Sequence, residues 1–262
     1  MDLLTVQQVD SPRARAELPG MDGAAFLAGG TWLFSEPQPG LRRLVDLAGL
    51  AWPPLEVSEA GLRIAATCTI AELERFQPPP EWRAGALFAQ SCRALLGSFK
   101  VWEMATVGGN VCLALAAAPM LALTVALEGI AVIWHPDGSE RHLPMAAFAQ
   151  GPQQIALAPG ELLRAIDLPL TALIRRAAFR QVSLFTHGRS AALLIGLEGF
   201  SLTVTASVPA PVYFAWPAPP SSADLDAALQ PLIWYNDVHG IPAWRCEMTR
   251  RLATEIRDEL CS

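Results

Sequence analysis

Two glycine pairs are the features of this sequence best suited to chemistry. They lie in residues 28–34, AGGTWLF, and residues 105–111, ATVGGNV, and a small polar residue, Thr31 or Asn110, follows each pair directly. Because glycine has no Cβ, it adopts positive φ readily and lets consecutive backbone N–H groups approach an anion. We therefore expect the two segments to grip one diphosphate from opposite sides, with the hydroxyl and the amide adding hydrogen bonds.

Each glycine pair also has a simpler interpretation, since Gly-Gly after a strand is often only a turn. The familiar nucleotide motifs are absent. None of the 19 glycines has another glycine two positions away, and no GxxxxGK[ST] segment occurs. These absences exclude the usual dinucleotide fingerprint and the P-loop, so a bound dinucleotide would not lie in a Rossmann fold.

Composition and charge limit the classes of function. Apolar residues make up 52% of the 262 residues, which is typical of a globular protein with a large core or large partner contacts. The 19 basic and 25 acidic residues give a net charge of −6, and no basic run is longer than a pair. Nucleic acid is therefore not an expected partner, because phosphate binding needs clustered Lys and Arg.

The five cysteines are Cys68, Cys92, Cys112, Cys246 and Cys261, and no two of them form a CxxC pair. This spacing supports neither a zinc site nor an iron–sulfur cluster, so no metal ligands are predicted. An odd number of cysteines and a start without a secretory leader indicate reduced thiols and a cytoplasmic location.

Residues 111–127 contain no charge and approach the length of a membrane span. Pro119 interrupts the segment, alanine dominates it, and a glycine pair precedes it. A buried loop followed by a helix is the preferred interpretation, and a membrane span is the alternative.

The elements that must position the glycines are interspersed helices and strands, which predicts the α+β class. Thr69 and Glu72 have the spacing of a capping box, and Asp137-Gly138 is a strong hairpin signal. Strands are predicted at residues 24–28, 43–47, 55–58, 62–66, 130–134, 177–183 and 191–197, and after Asp137-Gly138. Helices are predicted at residues 12–18 (capped by Ser11), 70–76, 82–96, within 119–127, 223–230 and 243–259. The proline-rich residues 209–220 are predicted to form a linker or a crossing over the surface.

Taken together, these segments resemble the FAD-binding subunits of the xanthine dehydrogenase and carbon monoxide dehydrogenase family of molybdenum hydroxylases. The family's first loop reads approximately AGGTDL and its second TIGGN. Single motifs are weak signals, whereas several in the same order over nearly the whole chain are specific. The matching segments are residues 28–33, residues 64–73 (IAATCTIAEL), residues 106–110 (TVGGN), residues 157–169 (LAPGELLRAIDLP), residues 179–183 (FRQVS) and residues 237–245 (DVHGIPAWR).

The resemblance implies the two-subdomain FAD-binding fold of the vanillyl-alcohol-oxidase and molybdenum-hydroxylase type, plus a small C-terminal α+β domain. The implied boundaries are residues 1–54, 55–170 and 171–262. It also implies FAD contacts from two segments and a cation near the flavin at Arg180, for which a solvated strand arginine is the alternative. The implied FAD-binding residues are Leu27, Ala28, Gly29, Gly30, Thr31, Trp32, Leu33, Thr106, Gly108, Gly109, Asn110 and Arg180.

Two departures from the family pattern bear on cofactor affinity. Trp32 stands where the family has an acidic residue. After Asn110 the family has a segment like SPxGD, whose aspartate helps to bind FAD, whereas residues 115–120 here read LAAAPM. Backbone groups would have to replace the missing carboxylate, or the affinity for FAD is lowered.

The resemblance implies an oxidoreductase that relays electrons without catalytic residues of its own. Its implied partners are a large subunit with the molybdenum cofactor, a small iron–sulfur subunit, and an acceptor such as NAD, a quinone or oxygen. Two alternatives stay open at this point. One is a flavin-free scaffold of the same complex, which the two departures favour, and the other is a stand-alone FAD oxidase, for which the chain has little room.

Overall fold

The computed structural model describes residues 3–262 and shows helices and sheets interspersed along the chain, which confirms the α+β class. The first sheet is small and parallel, with the order β1-β3-β2. Its strands are β1 (Gln8–Asp10), β2 (Ala24–Leu27) and β3 (Arg43–Asp46). β2 and β3 occur where the sequence predicts them, and β2 leads directly into the first glycine segment.

The predicted helix over residues 12–18 is wrong. Only a single 3-10 turn, Arg15–Glu17, forms there, and Ala14 precedes it without a side-chain cap. So short a helix lacks the propagating hydrogen bonds that would offset its nucleation cost.

A five-stranded antiparallel sheet follows, with the order β4-β5-β10-β6-β7. The two predicted hairpins, β4–β5 and β6–β7, are confirmed. The central strand β10 separates them and pairs with both, and it was not among the predicted strands because its partners are remote in sequence. The strands of this region are β4 (Leu55–Ser58), β5 (Gly61–Ala65), β6 (Ile130–Trp134), β7 (Glu140–Pro144), β8 (Ala149–Gly151), β9 (Gln154–Ile155) and β10 (Leu162–Pro169), of which β8 and β9 form a separate ribbon.

Six helices accompany this sheet: α1 (Ile70–Arg75), α2 (Ala86–Ala94), α3 (Phe99–Met104), α4 (Val107–Leu113), α5 (Pro119–Ala126) and α6 (Leu170–Leu173). The capping box of α1 is confirmed, since Thr69 Oγ1 accepts the Glu72 N–H at 3.1 Å and Glu72 accepts the Thr69 N–H at 2.7 Å. α2 is shorter than predicted. The sequence did not predict α3 or α4, and α4 contains the second glycine pair.

The apolar residues 111–127 are divided between two helices. α4 ends at Leu113, Ala114 takes a left-handed conformation with φ +45°, and α5 begins at Pro119. All eight residues of α5 are buried, which explains the run of uncharged side chains by packing. Among residues 3–262, no helix is both long and apolar enough to cross a membrane.

The C-terminal part is a four-stranded antiparallel sheet with helices α7 (Ser222–Leu229) and α8 (Pro242–Cys261). Its strands are β11 (Ala177–Val182), β12 (Ala192–Leu197), β13 (Ser201–Thr205) and β14 (Val212–Ala215). β12 is buried on both faces, because Leu193 and Ile195 join the large core that includes α5, whereas Ala192 and Leu194 pack toward α8. Residues 209–220 do not form the predicted linker, since β14 pairs there with β13. The domain boundaries given above stay a prediction.

One buried cation organises the C-terminal part. Arg245 on α8 is only 1% exposed and donates to the carbonyls of Ala191 (2.6 Å), Gly240 (3.0 Å) and Ala206. It also pairs with the carboxylate of Asp237. Arg245 thus fixes the loop before α8 against the sheet, and this contact gives the segment DVHGIPAWR a structural function.

We expect Arg245→Met to lower the free energy of unfolding by about 3–5 kcal/mol, because it removes the buried donor that bonds to one carboxylate and three carbonyls. Urea unfolding measures the loss. Arg251→Met on the same helix is the control, because Arg251 forms only an exposed pair with Glu255 and should cost less than about 1 kcal/mol. Equal effects of the two substitutions would contradict the structural role of Arg245.

Candidate functional site

The first glycine segment is a turn at the carboxyl end of β2. Leu27 ends the strand, and Gly30 takes φ +67°, as expected for glycine in such a turn. The Gly30 carbonyl accepts the N–H of Phe34 at 2.9 Å, and the ring of Phe34 lies so close that a Cβ on Gly30 would be 2.6 Å from it. Any larger residue at position 30 would therefore displace the aromatic ring that supports the turn.

This turn leaves a run of backbone donors available to a ligand. Within the described residues 3–262, the five consecutive N–H groups of Gly29, Gly30, Thr31, Trp32 and Leu33 have no protein acceptor. Thr31 is exposed, and the other four residues are half-buried. Successive unpaired N–H groups in a turn favour an anion, and they have the chemistry that a diphosphate requires.

The second glycine segment differs from the predicted open turn, because it is the first turn of α4. Neither Gly108 nor Gly109 has positive φ, so the expectation that this pair presents free N–H groups through positive-φ glycines is wrong. The N–H groups of this segment already have acceptors within the protein. Val107 donates to the Cys68 carbonyl (2.8 Å), Gly108 to the Ala66 carbonyl (3.0 Å), Gly109 to Thr106 Oγ1 (3.0 Å) and Asn110 to the Thr106 carbonyl (3.0 Å).

The glycines of α4 serve close packing. A Cβ on Gly108 would lie 2.5 Å from the Cβ of Ala66 and 2.6 Å from its carbonyl oxygen, so the helix can rest on residues 66–68 only with glycine there. Gly109 is exposed, beside the Thr106 hydroxyl that caps the helix. Residues 66–68 lie within a segment that the resemblance identifies. The sequence did not predict that the carbonyls of Ala66 and Cys68 hold the start of α4.

Asn110 links α4 to α5. Its Oδ1 accepts the N–H of Met120 at 3.1 Å, and this bond supplies a cap that Ala118, the residue before α5, lacks. In the described part of the chain the Asn110 Nδ2 has no protein acceptor, so one amide donor is left for a ligand.

The two glycine segments lie against each other. A Cβ on Gly29 would be 1.7 Å from the carbonyl oxygen of Met104 and 3.2 Å from the Cα of Ala105. Met104 ends α3, two residues before the Thr106 cap of α4. The segments therefore meet at a contact that only glycine permits at position 29.

Arg180 has carboxylate partners that give it a structural role. Its guanidinium contacts Glu255 at 3.2 Å and Glu259 at 2.6 Å, both on α8. On β11 it shares a sheet face with Ala178, which packs toward α8. Its charge is paired on that face, so Arg180 anchors α8, and its predicted contact with the flavin stays a prediction.

Two cysteine thiols lie in or beside α4, those of Cys112 and Cys68. Burial raises the pKa of Cys112 to about 12, and burial also raises the pKa of Cys68 far above its ordinary value. Both thiols are therefore neutral at physiological pH and unsuited to nucleophilic or redox chemistry. The site thus offers backbone and amide donors for binding.

The comparisons with known proteins agree with this geometry. Residues 10–171 match the family described as the FAD binding domain in molybdopterin dehydrogenase. A comparison with curated protein sequences found no match.

Several solved structures share the fold. Carbon monoxide dehydrogenase from Hydrogenophaga pseudoflava, in a form lacking the Mo-pyranopterin moiety of its cofactor, is 18% identical with a TM-score of 0.81, over 98% of this chain and 99% of that one. Quinoline 2-oxidoreductase from Pseudomonas putida 86 is 17% identical with a TM-score of 0.81, over 100% of both chains. Reconstituted CO dehydrogenase from Oligotropha carboxidovorans is 19% identical with a TM-score of 0.77, over 90% of this chain and 89% of that one.

At these identities the solved structures show a common fold, and the family match adds the cofactor. The match covers more than half of the chain and includes both glycine segments. The chain therefore belongs to the FAD-binding domain family of the molybdopterin dehydrogenases, which are oxidoreductases, and its cofactor is FAD.

Proposed function

We propose that this chain is the electron-relay subunit of a molybdenum hydroxylase complex. The observation that carries the proposal is the run of five free N–H groups from Gly29 to Leu33, at the point where the two glycine segments meet. Bound FAD supplies reversible one- and two-electron redox chemistry, and the protein supplies binding and orientation.

The two segments have different tasks in this proposal. The first segment, from Leu27 to Leu33, binds the diphosphate of FAD through its backbone donors. The second segment supports it, with Thr106 capping α4, Gly108 and Gly109 allowing close approach, and Asn110 offering its Nδ2. The backbone donors thus act without the carboxylate that relatives place after the second segment. Trp32 is half-buried in the first turn, and its indole N–H has no hydrogen-bond acceptor among residues 3–262, so we propose that the indole contacts the cofactor.

The partners follow from the family. Carbon monoxide dehydrogenase and quinoline 2-oxidoreductase chains have the same fold. The carbon monoxide dehydrogenase structure is of a form that lacks the Mo-pyranopterin moiety of its molybdenum cofactor. We propose a large subunit with a molybdenum cofactor, a small iron–sulfur subunit and an acceptor such as NAD, a quinone or oxygen. The chain itself would bind and orient the flavin, with no side chain acting as an acid, a base or a nucleophile.

Adding FAD to the full chain tests the proposal. We expect one equivalent of FAD to remain after gel filtration, with the absorbance bands of oxidised flavin. The electron relay is tested separately in the co-purified complex: adding the substrate of the complex should reduce the flavin and bleach its absorbance bands. A folded chain that retains no FAD would overturn the proposal and favour the scaffold interpretation.

We expect Gly29→Ala to raise the Kd for FAD at least about tenfold, equivalent to about 1.4 kcal/mol, because the new Cβ would force the first segment away from the Met104 carbonyl. Titration followed by flavin fluorescence measures the change. Gly20→Ala is the matched control, because a Cβ on Gly20 meets no atom within 4 Å. If both variants bind FAD as the wild type does, the contact between the segments is irrelevant to the cofactor.

The supporting task of the second segment predicts an effect on stability. Thr106→Val should lower the free energy of unfolding by about 1 kcal/mol, because Gly109 loses its cap at the start of α4. Thr106→Ser should retain most of the wild-type stability, since the hydroxyl remains. Urea unfolding of the flavin-free chain compares the two variants, and a valine variant as stable as the serine variant would rule out the capping role.

A further inference from the structure

Arg164 occupies an irregular position in β10. Leu163 pairs with Ile133 and Ala165 with Val132, so Arg164 is an extra residue that bulges from the ladder with β6. Its carbonyl accepts the N–H of Ala66 at 3.0 Å. The Ala66 carbonyl in turn accepts the N–H of Gly108 at 3.0 Å. Two consecutive backbone hydrogen bonds therefore connect the bulge to the second glycine segment.

The side chain of Arg164 lies among aromatic rings. Its Cζ is 4.2 Å from the ring centroid of Trp52 and 5.8 Å from that of Trp134, within the range of cation–π contacts. The two rings meet edge to face with centroids 5.3 Å apart. Arg15, from the N-terminal part, also lies over Trp134 at 4.6 Å. These four side chains join the N-terminal part to the five-stranded sheet.

Charge pairing does not explain this position. Within residues 3–262 no carboxylate lies in ion-pair distance of Arg164, and its buried Nη1 has no hydrogen-bond partner. Burial lowers the pKa of Arg164, which is an energetic cost of keeping the charge there. The aromatic rings compensate for this cost at close range, and the more distant carboxylates of Glu56, Asp167 and Glu140 also favour the charge.

Trp52 and Trp134 are connected to the first glycine segment through a shared apolar core. Trp52 and Trp134 pack against a small core of Leu47, Leu50 and Leu162. Ala28, the residue before Gly29, packs against the same core. Movement of Trp52 would therefore be transmitted to the start of the turn that carries the free N–H groups.

We propose that Arg164 is a positioning residue for the cofactor site, holding the first glycine segment through its guanidinium and the second through its carbonyl. This inference rests on the proposed function, since it concerns the same FAD site.

The experiment compares Arg164→Met, Arg164→Lys and Arg63→Met in the full chain. Methionine keeps an apolar stem and removes the cation, whereas lysine keeps the charge without the flat guanidinium. Arg63 is the matched control, because it lies on the neighbouring strand β5 and makes an exposed pair with Asp167 at 2.7 Å. Two quantities are measured: the Kd for FAD, and amide hydrogen exchange of the flavin-free chain at residues 24–27 and 108–110.

We expect Arg164→Met to raise the Kd about tenfold and to accelerate exchange at residues 24–27, with Arg164→Lys intermediate and Arg63→Met like the wild type. Exchange at residues 108–110 should change less, because the Arg164 carbonyl that supports them through Ala66 remains in every variant. Far-UV circular dichroism checks that each variant is folded, and if the methionine variant does not fold, the lysine variant decides by the same two measurements. Wild-type affinity and exchange in the Arg164 variants would overturn this inference and leave the proposed function intact. A wild-type chain that binds no FAD would overturn both.

Discussion

The contact between the Cα of Gly29 and the carbonyl of Met104 is the constraint on which the site depends. It joins the turn after β2 to the end of α3, and the next helix, α4, begins three residues after Met104. A side chain at position 29 cannot be accommodated, because its Cβ would overlap the oxygen. Two segments about 75 residues apart in sequence are thus held at a backbone-to-backbone distance, which is what allows them to form one surface.

The division between free and occupied donors defines what that surface can do. In the first segment the N–H groups from Gly29 to Leu33 have no protein acceptor in the described chain, so they provide the partial positive charge that attracts an anion. In the second segment the N–H groups of residues 107–110 are all bonded within the protein. The first segment therefore provides hydrogen-bond donors for a ligand, and the second segment provides a rigid support. The pairing of a free turn with a capped helix is a physical basis for binding without a carboxylate.

Two arginines, the buried Arg245 and the half-buried Arg164, illustrate how cations act in this fold. Arg245 is satisfied by three carbonyls and by Asp237, and its function is to fix the C-terminal helix and loop to the sheet. Within the described residues the Arg164 side chain has no such acceptors, and it lies instead against Trp52 and Trp134. The first arrangement provides stability through hydrogen bonds. The second joins two parts of the molecule through ring faces, which tolerate small displacements better than directional hydrogen bonds do.

The sequence by itself determined the α+β class, both hairpins, the capping box of α1 and, through ordered motifs, the family and its cofactor. These features depend on local patterns, such as alternation in β4–β5 or the Thr69–Glu72 spacing, which neighbouring residues can express. Tertiary structure alone decided that β10 joins the two hairpins, that Arg180 pairs with α8, and that Gly108 and Gly109 belong to a helix. In each case the partner is remote in the chain: Ala65 for β10, Glu259 for Arg180, and the carbonyl of Ala66 for Gly108. A glycine pair is compatible with a free turn or with a closely packed helix, and only the atoms brought against it determine which of the two forms.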